Sequence, residues 1–182
     1  GAIVFGILSA QMVNQKFRGR SFIRSTLLFP YVAPVVALAF TWELLLDPNS
    51  GTLNNLLLNY NIIDKPINLL GQKYVSIFVF GFEFKLRLAL TTVIIFEIWR
   101  YFPLAFLFIL ARLQAVPKEL YEAADIDGAG PYTKFMNITL PQITAVISIL
   151  FMIRFIWNFN KFEDIFLLTG GASGTRTLPI NV

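Results

Sequence analysis

Long apolar stretches alternate with polar segments along this chain. Three stretches are long enough to cross a bilayer as helices, since a hydrocarbon core of about 30 Å requires ~20 mostly apolar residues. They cover residues 25–46, 88–111 and 138–157. A shorter stretch, residues 1–13, has no Met or charged flank before it, and a Gly/Ser/Thr-rich loop ends the chain. We therefore expect an incomplete chain whose first segment is the end of a longer span.

Prolines inside these stretches predict a bundle of kinked helices. Pro30 and Pro34 interrupt the first long stretch, and Pro103 lies near the middle of the second. A proline in a membrane helix is tolerated when neighbouring helices or water satisfy the freed backbone groups. The pattern therefore predicts an all-α integral membrane protein with several packed spans.

Composition supports the membrane assignment and excludes several kinds of chemistry. The 182 residues are 56% hydrophobic and only 14% charged, whereas soluble domains carry about 25% charged residues. The chain has no Cys and no His, which argues against disulfides, thiolate zinc sites and Cys or His catalysis. We therefore predict no catalytic residue, no metal site and no cofactor held by this chain, and a membrane enzyme is disfavoured.

The distribution of charge predicts the orientation. The net charge of +4 is concentrated in a basic cluster beside an apolar stretch, which is typical of a cytoplasmic flank and not of a nucleic-acid surface. The cluster consists of Lys16, Arg18, Arg20 and Arg24. Because each span takes the chain to the other side of the membrane, residues 47–87 are then expected to form an external loop and residues 116–137 a cytoplasmic one. The four acids between Arg112 and Asn137 weaken this orientation. Acids contribute little, however, to the rule that cytoplasmic loops carry an excess of Lys and Arg.

Within the external loop, aromatic and polar residues alternate with a period of two from Phe78 to Leu88. This period predicts a short strand or extended edge near the membrane interface. Irregular packing against the bundle is an equally good interpretation of the same residues.

The segment of residues 116–137 has the pattern of a helix, a turn and a second short helix. Pro117 suits a helix start, and Glu119 and Glu122 favour its positive N-terminal end. Gly128, with Gly130 and Pro131 after it, then ends the helix and turns the chain. Small residues near such a turn suit docking in a groove of a partner, but a simple connector between spans explains the pattern equally well.

The same segment resembles a known motif. Glu122-Ala123-Ala124, then Gly128, and later Ile138-x-Leu140-Pro141 are similar to the EAA motif of binding-protein-dependent ABC importer permeases. Other stretches resemble the sugar branch of that family, and the last of them its MalF-type half. These stretches are Phe17 to Phe22, Asp47-Pro48 to Leu53-Asn54, and Asn158 to Phe162 with Leu168 to Gly171.

The resemblance implies a MetI/MalF-like permease bundle without its first and last spans. It also implies that the loop at 116–137 forms a coupling helix, which docks in a cleft of a cytoplasmic ATPase. The matching and adjoining positions are Glu122, Ala123, Ala124, Asp127, Gly128 and Ala129. No G-x-x-x-x-G-K-[ST] sequence occurs in this chain, so ATP and Mg²⁺ would be bound by the partner.

Ionisable residues in the middle of a span indicate a candidate substrate path, because charge there is costly. Glu97 and Arg100 lie three positions apart with Trp99 between them. In maltose-type relatives, the resemblance implies sugar contacts at these three positions and at those of Trp157, Asn158 and Lys161. The charged residues here depart from the maltose pattern and favour an acidic or phosphorylated sugar. A structural Glu97–Arg100 pair, with Trp157 as an interfacial anchor, is the alternative.

We therefore expect a multi-pass permease subunit of an ATP-driven sugar importer in the cytoplasmic (inner) membrane of a prokaryote. Its implied partners are an ATPase dimer, a second MalG-like permease, an extracytoplasmic solute-binding protein and the lipid bilayer, and no nucleic acid. A permease for a non-sugar solute and an ion-coupled secondary transporter remain as alternatives. Only the ABC importers would use the loop at 116–137 for docking to an ATPase.

Overall fold

The computed structural model describes residues 1–15, 17–79, 82–159 and 162–176. Within these ranges the chain is mostly helical, with one β-hairpin. The helices are α1 (Ala2–Asn14), α2 (Arg20–Val32), α3 (Val35–Leu46), α4 (Thr52–Asn59), α5 (Leu88–Gln114), α6 (Lys118–Ile126), α7 (Pro131–Lys134), α8 (Leu140–Phe159) and α9 (Glu163–Thr169). The strands are β1 (Val75–Val79) and β2 (Phe82–Leu86).

Two helices in the described ranges are long and apolar enough to cross a membrane. One is α5, which covers the predicted span of residues 88–111. The other runs without a break from Pro131 to Phe159 and includes the predicted span of 138–157. Between α7 and α8, Phe135–Thr139 form a π-helical stretch. This wider turn lies just before Pro141, whose ring would clash with a carbonyl four residues earlier in a regular helix.

The predicted span of residues 25–46 is not one straight helix. It is divided into α2 and α3 at Ala33 and Pro34. Together the two helices are long and apolar enough for one span, but the chain bends by 95° between them. Pro34 is the residue before α3, where its fixed φ is compatible with a helix start. Pro30, by contrast, lies inside α2, so only the second proline interrupts the helix.

The chain forms two compact units. The first contains Gly1–Val32 and Ile98–Trp157. Its core is built from α1, α5 and α8, with buried side chains that include Phe106, Ile109 and Ile143. Helix α1 lies very close to α5, since a methyl group placed on Gly6 would come within 2.6 Å of the Ala105 Cβ. Small residues allow this close approach, which drives helix association in lipid.

The second unit contains Ala33–Glu97 and Asn158–Val182. Helix α3 packs against α4 and α9. The rings of Trp42 and Phe96 meet edge to face, with their centroids 5.3 Å apart. The Thr92 hydroxyl donates a hydrogen bond of 3.2 Å to the Leu69 carbonyl, which ties the loop before the hairpin to the first part of α5.

The loop that the sequence analysis predicted to be external contains regular structure. Strands β1 and β2 pair antiparallel, with Val75 opposite Leu86 and Val79 opposite Phe82. The predicted strand is therefore two short strands, and the interpretation as irregular packing is wrong for these residues. Phe80 and Gly81, within the alternating pattern, lie outside the described residues.

Candidate coupling and substrate sites

The first candidate site is the loop of residues 116–137, which we call the coupling loop. Helix α6 begins directly after Pro117, and Glu119 lies in its first turn, where a carboxylate interacts favourably with the helix dipole. Helix α7 begins with Pro131, whose missing N–H costs nothing at this position. The predicted helix-turn-helix is therefore present, and the second helix continues directly into α8 through the π-helical stretch.

The turn between the two helices depends on Gly128. This residue has a φ of +74°, in the left-handed region that glycine adopts without strain. The Ala129 amide donates to the Ala124 carbonyl at 2.8 Å, and the Gly128 amide donates to the Asp125 carbonyl at 3.1 Å. These two bonds form a Schellman motif, which satisfies carbonyls that the helix end would otherwise leave open.

The coupling loop exposes most of its surface. Neither α6 nor α7 contains a buried residue. Of the residues that match the EAA motif or adjoin it, Glu122, Ala123, Asp127 and Gly128 are exposed, whereas Ala124 and Ala129 are half-buried. Two apolar side chains are unusually open, Ile126 with 87% and Tyr132 with 73% of its surface exposed. Apolar exposure of this kind is typical of an interaction surface.

One side-chain contact joins this exposed loop to the π-helical stretch before α8, and another joins its two helices. The Tyr121 and Thr139 hydroxyls lie 2.9 Å apart and share a hydrogen bond. Lys134 forms a salt bridge with Asp125, which joins α7 to α6. A displacement of α6 would therefore act directly on the start of α8. Ile126, the most exposed apolar side chain of the loop, was not among the residues that the sequence analysis assigned to docking.

The second candidate site is a cluster of aromatic rings and guanidinium groups in the first unit. The Tyr101 ring lies at its centre, with the Arg154 Cζ 4.0 Å and the Arg100 Cζ 5.3 Å from its centroid. The rings of Tyr31 and Trp157 lie 6.2 Å and 6.5 Å from it, centroid to centroid. Both distances are in the range of favourable aromatic pairs. We call these five residues the arginine–aromatic cluster.

Two residues of the predicted substrate path meet around the Tyr101 ring. Arg100 and Trp157 belong to the arginine–aromatic cluster, whereas Trp99 packs against the hydrophobic core of the first unit. Glu97 is half-buried on α5 and Asn158 is exposed near the end of α8. Lys161 lies outside the described residues.

Three members of the cluster were not among the predicted path residues. They are Tyr31, Tyr101 and Arg154. Two of them have a signal in the sequence, since Tyr101 follows Arg100 directly and Arg154 precedes Trp157 by almost one helical turn. Tyr31 has no such signal, because its contact with Tyr101 joins residues 70 positions apart. Among the described residues, no three His, Cys, Asp or Glu side chains come together as a metal site would require.

Comparison with known proteins gives a consistent result. Residues 2–181 match the family described as "Binding-protein-dependent transport system inner membrane component". The chain is 37% identical over 169 residues to an inner membrane ABC transporter permease protein, YcjO, of Escherichia coli. It is 32% identical over 179 residues to the trehalose/maltose transport system permease protein MalF of Thermococcus litoralis. These matches cover 93% and 98% of this chain but 54% and 56% of the relatives, so the chain spans about half their length.

A third relative and a solved structure extend the comparison. The sn-glycerol-3-phosphate transport system permease protein UgpA of Yersinia pestis is 34% identical over 180 residues, 98% of this chain and 55% of the relative. The structure of a bacterial ABC transporter that imports the acidic polysaccharide alginate matches with a TM-score of 0.70. That match covers 94% of this chain and 58% of the other, at 23% identity, so it indicates the fold alone.

Proposed function

Because this chain belongs to the family of binding-protein-dependent transport system inner membrane components, we propose that it is part of the permease subunit of an ATP-driven importer. The imported solute is a sugar or a sugar derivative. The sequence contains no phosphate-binding loop of the Walker type, so a separate ATPase supplies the energy. The permease couples transport to ATP hydrolysis, and the separate ATPase catalyses the hydrolysis.

The observation that carries this proposal is the geometry of the coupling loop. A short amphipathic helix that leaves Ile126 almost fully open needs an apolar groove to cover it. Glu122 is exposed on the same helix and can pair with a base at the rim of that groove. The Tyr121–Thr139 hydrogen bond would transmit the movement of the docked helix to α8. Closure of the ATPase could then change the access to the transport path.

The family and the names of its relatives support an assembly with several partners. The family is named for its dependence on a binding protein, and a matching structure contains an alginate transporter with a pentasaccharide-bound periplasmic protein. We expect this permease to lie in the inner membrane with an ATPase dimer, a second permease half and an extracytoplasmic solute-binding protein.

The substrate path includes the arginine–aromatic cluster. Aromatic rings stack on the apolar faces of sugars, and a guanidinium group binds carboxylates and phosphates through paired hydrogen bonds. Arg100 and Arg154 both lie against Tyr101, so the cluster combines the two kinds of group. One relative is named for an anionic cargo, glycerol 3-phosphate, although another is named for neutral trehalose and maltose. An acidic or phosphorylated sugar suits this cluster better than a neutral one.

Docking of the coupling loop is tested with Gly128→Asp and Ala124→Asp in the full-length permease. Each variant should lower the amount of co-purified ATPase at least about tenfold, since an unpaired buried charge at an interface costs more than 1.4 kcal/mol. The matched control is Ala172→Asp, which places the same side chain at an exposed alanine outside the loop. Co-purification of the ATPase at the wild-type level with both loop variants would reject the proposed docking.

The substrate path is tested with Arg100→Leu, Arg154→Leu and Glu97→Gln in an uptake assay. We expect either arginine variant to reduce the uptake of an acidic sugar at least about tenfold, because a lost charge-assisted hydrogen bond costs about 1.5–3 kcal/mol. Arg112→Leu is the control, since Arg112 is exposed and binds the Gln142 side chain and carbonyl. Unchanged uptake by a normally assembled complex would reject the path assignment.

A further inference from the structure

A cavity lies at one end of the first unit, next to the coupling loop. It has a volume of about 440 Å³, within the range of ordinary ligand sites. The end of α1, the start of α2, the end of α5 and the start of α6 enclose it. Leu113 and Val116, both buried, contribute apolar surface, and Asn14 and Gln114 contribute amide groups. None of the residues assigned above to the substrate path lines this cavity.

Three bases line the cavity, and no carboxylate does so among the described residues. Arg20 and Arg24 lie one turn apart on α2, and Lys118 is the first residue of α6. Side chains four positions apart share a helix face, so both arginines reach the same space. The N-terminal ends of α2 and α6 add partial positive charge at the same place.

Arg24 is the base that is most enclosed. One of its terminal nitrogens donates a 3.3 Å hydrogen bond to the Val13 carbonyl, in the last turn of α1. Its Nε is buried and has no hydrogen-bond partner within the described part of the chain. A buried donor on a charged group is costly when it is unsatisfied, so an acceptor with negative charge would be favoured there.

We propose that this cavity binds a phosphate group, and that its source is the headgroup of an anionic membrane lipid. A phosphate in the cavity is attracted by all three bases that line it, and its charge offsets theirs. The cavity lies at the C-terminal end of α5, which is long and apolar enough to cross a membrane, and the ends of such helices reach the headgroup region. Basic pockets between membrane helices are known to bind anionic headgroups.

The bound headgroup has a structural consequence for the coupling loop. Lys118 begins α6, and Tyr121, which also lines the cavity, holds the hydroxyl of Thr139. A phosphate between Lys118 and the arginines of α2 would therefore fix the start of α6 relative to α2. This makes the lipid a cofactor for positioning the coupling helix, separate from the transported solute.

The proposal is tested by native mass spectrometry of the full-length permease with its co-purified subunits. Dioleoyl-phosphatidylglycerol is titrated into the detergent solution, and dioleoyl-phosphatidylcholine serves as the neutral lipid. We expect the wild type to bind phosphatidylglycerol, and the double variant Arg20→Gln/Arg24→Gln to bind it about 30-fold more weakly, since each base near an anionic headgroup contributes about fivefold. Lys118→Gln, at an exposed position, should give about a fivefold loss without disturbing the α2 helix.

The matched control is Arg18→Gln, which removes an exposed base of the same segment that does not line the cavity. It should bind phosphatidylglycerol as the wild type does. An equal loss in Arg18→Gln and Lys118→Gln would overturn the proposal, because the effect would then be that of loop charge in general. Equal binding of the two lipids by the wild type would overturn it as well.

A third arm distinguishes the two sources of phosphate. Inorganic phosphate is added at millimolar concentration, and hydrogen exchange of residues 118–126 is followed with and without phosphatidylglycerol. Slower exchange with phosphatidylglycerol but not with inorganic phosphate supports the lipid headgroup as the ligand. Equal protection by inorganic phosphate supports a phosphate site in the cavity and identifies free phosphate as its ligand. Protection by neither probe would overturn the proposal. These readouts require no transport, so they stay informative even if the proposed function fails.

Discussion

Two connecting segments of this protein differ in whether a buried side chain holds them together. The coupling loop leaves α6 and α7 without a buried residue and exposes Ile126. The segment of residues 47–67, which we call the outer turn, instead buries Asn54 to 1% exposure. The outer turn, which also exposes Tyr60 and Ile62, is thus anchored by a buried side chain within its own unit, whereas α6 and α7 have no buried residue.

The hydrogen bonds of Asn54 explain the order of the outer turn. Its side-chain oxygen accepts from the Ile67 amide at 2.9 Å, and its side-chain nitrogen donates to the Ile67 carbonyl at 3.0 Å. The same nitrogen lies 3.3 Å from the Asp47 carbonyl. One buried amide therefore joins Asp47, directly after α3, to Ile67 in the following loop. The coupling loop has no such central side chain among its described residues, and its Tyr121 is joined to Thr139, just before α8.

The largest effect is expected from Asn54→Ala. This change leaves the amide and the carbonyl of the half-buried Ile67 without these partners, which should cost about 3 kcal/mol of local stability. Hydrogen exchange at the Ile67 amide should therefore become about 100-fold faster, because 1.4 kcal/mol corresponds to a factor of ten. The measurement is exchange by mass spectrometry on the full-length protein.

Asn55→Ala provides the control for this experiment. Asn55 is the exposed neighbour, and its amide makes one long bond of 3.4 Å to the Ser50 carbonyl. We expect little change at Ile67 in that variant. If Asn54→Ala and Asn55→Ala gave equal exchange rates, the contrast between the outer turn and the coupling loop would lose its basis.

Sequence analysis predicted local features well. The EAA motif identified the family correctly, since residues 2–181 match the model of that family. The predicted permease fold agrees with a solved structure at a TM-score of 0.70. Gly128 was predicted as the turn because an amphipathic helix commonly ends at a glycine in the left-handed conformation. The break at Ala33 and Pro34 was predicted only as a kink, because proline alone does not determine whether a helix bends or ends.

Contacts between distant residues could not be predicted from the sequence. Asn54 bonds to Ile67, and Tyr31 meets Tyr101, only because the fold brings these segments together. Neither pair has a helical or strand spacing that would reveal it. The contact of Trp99, a predicted path residue, with the core of the first unit likewise has no signal in the sequence. A single sequence shows which residues share a helix face but not which face meets which neighbour.

An intermediate effect is expected from Gly128→Ala. The left-handed φ of +74° costs an alanine roughly 1–2 kcal/mol, although no atom lies within 4 Å of the added methyl group. We expect about tenfold faster exchange at the Ala129 amide, whose bond to Ala124 completes the turn. Gly130→Ala is a matched control, because Gly130 has a φ of −69° and equally open surroundings. Equal exchange at Ala129 in both variants would show that backbone conformation does not hold this turn.

The smallest effect concerns Asp47 in the outer turn. Its carboxylate accepts hydrogen bonds from the Ser50 amide at 2.8 Å, from the Ser50 hydroxyl at 2.9 Å and from the Asn49 amide at 2.9 Å. The bonds from Ser50 are the main cause that lowers the pKa of Asp47, and the bond from Asn49 adds to it. A lowered pKa means that the ionised form stabilises the folded turn. This stabilisation is complete above the ordinary pKa of an aspartate and is lost as the pH falls below about 4.

Asp47→Asn measures this contribution, since asparagine keeps one acceptor oxygen but never carries the charge. At pH 6 the Ser50 amide should exchange moderately faster in the variant than in the wild type, and at pH 3 the ratio of the two rates should approach one. The effect is modest because Asp47 is open to solvent, which screens its charge. Asp64→Asn, at an exposed acid of the same turn, should give a ratio near one at both pH values. A ratio for Asp47→Asn that does not change between pH 6 and pH 3 would show that the turn is held by the geometry of its hydrogen bonds and not by the charge of the carboxylate.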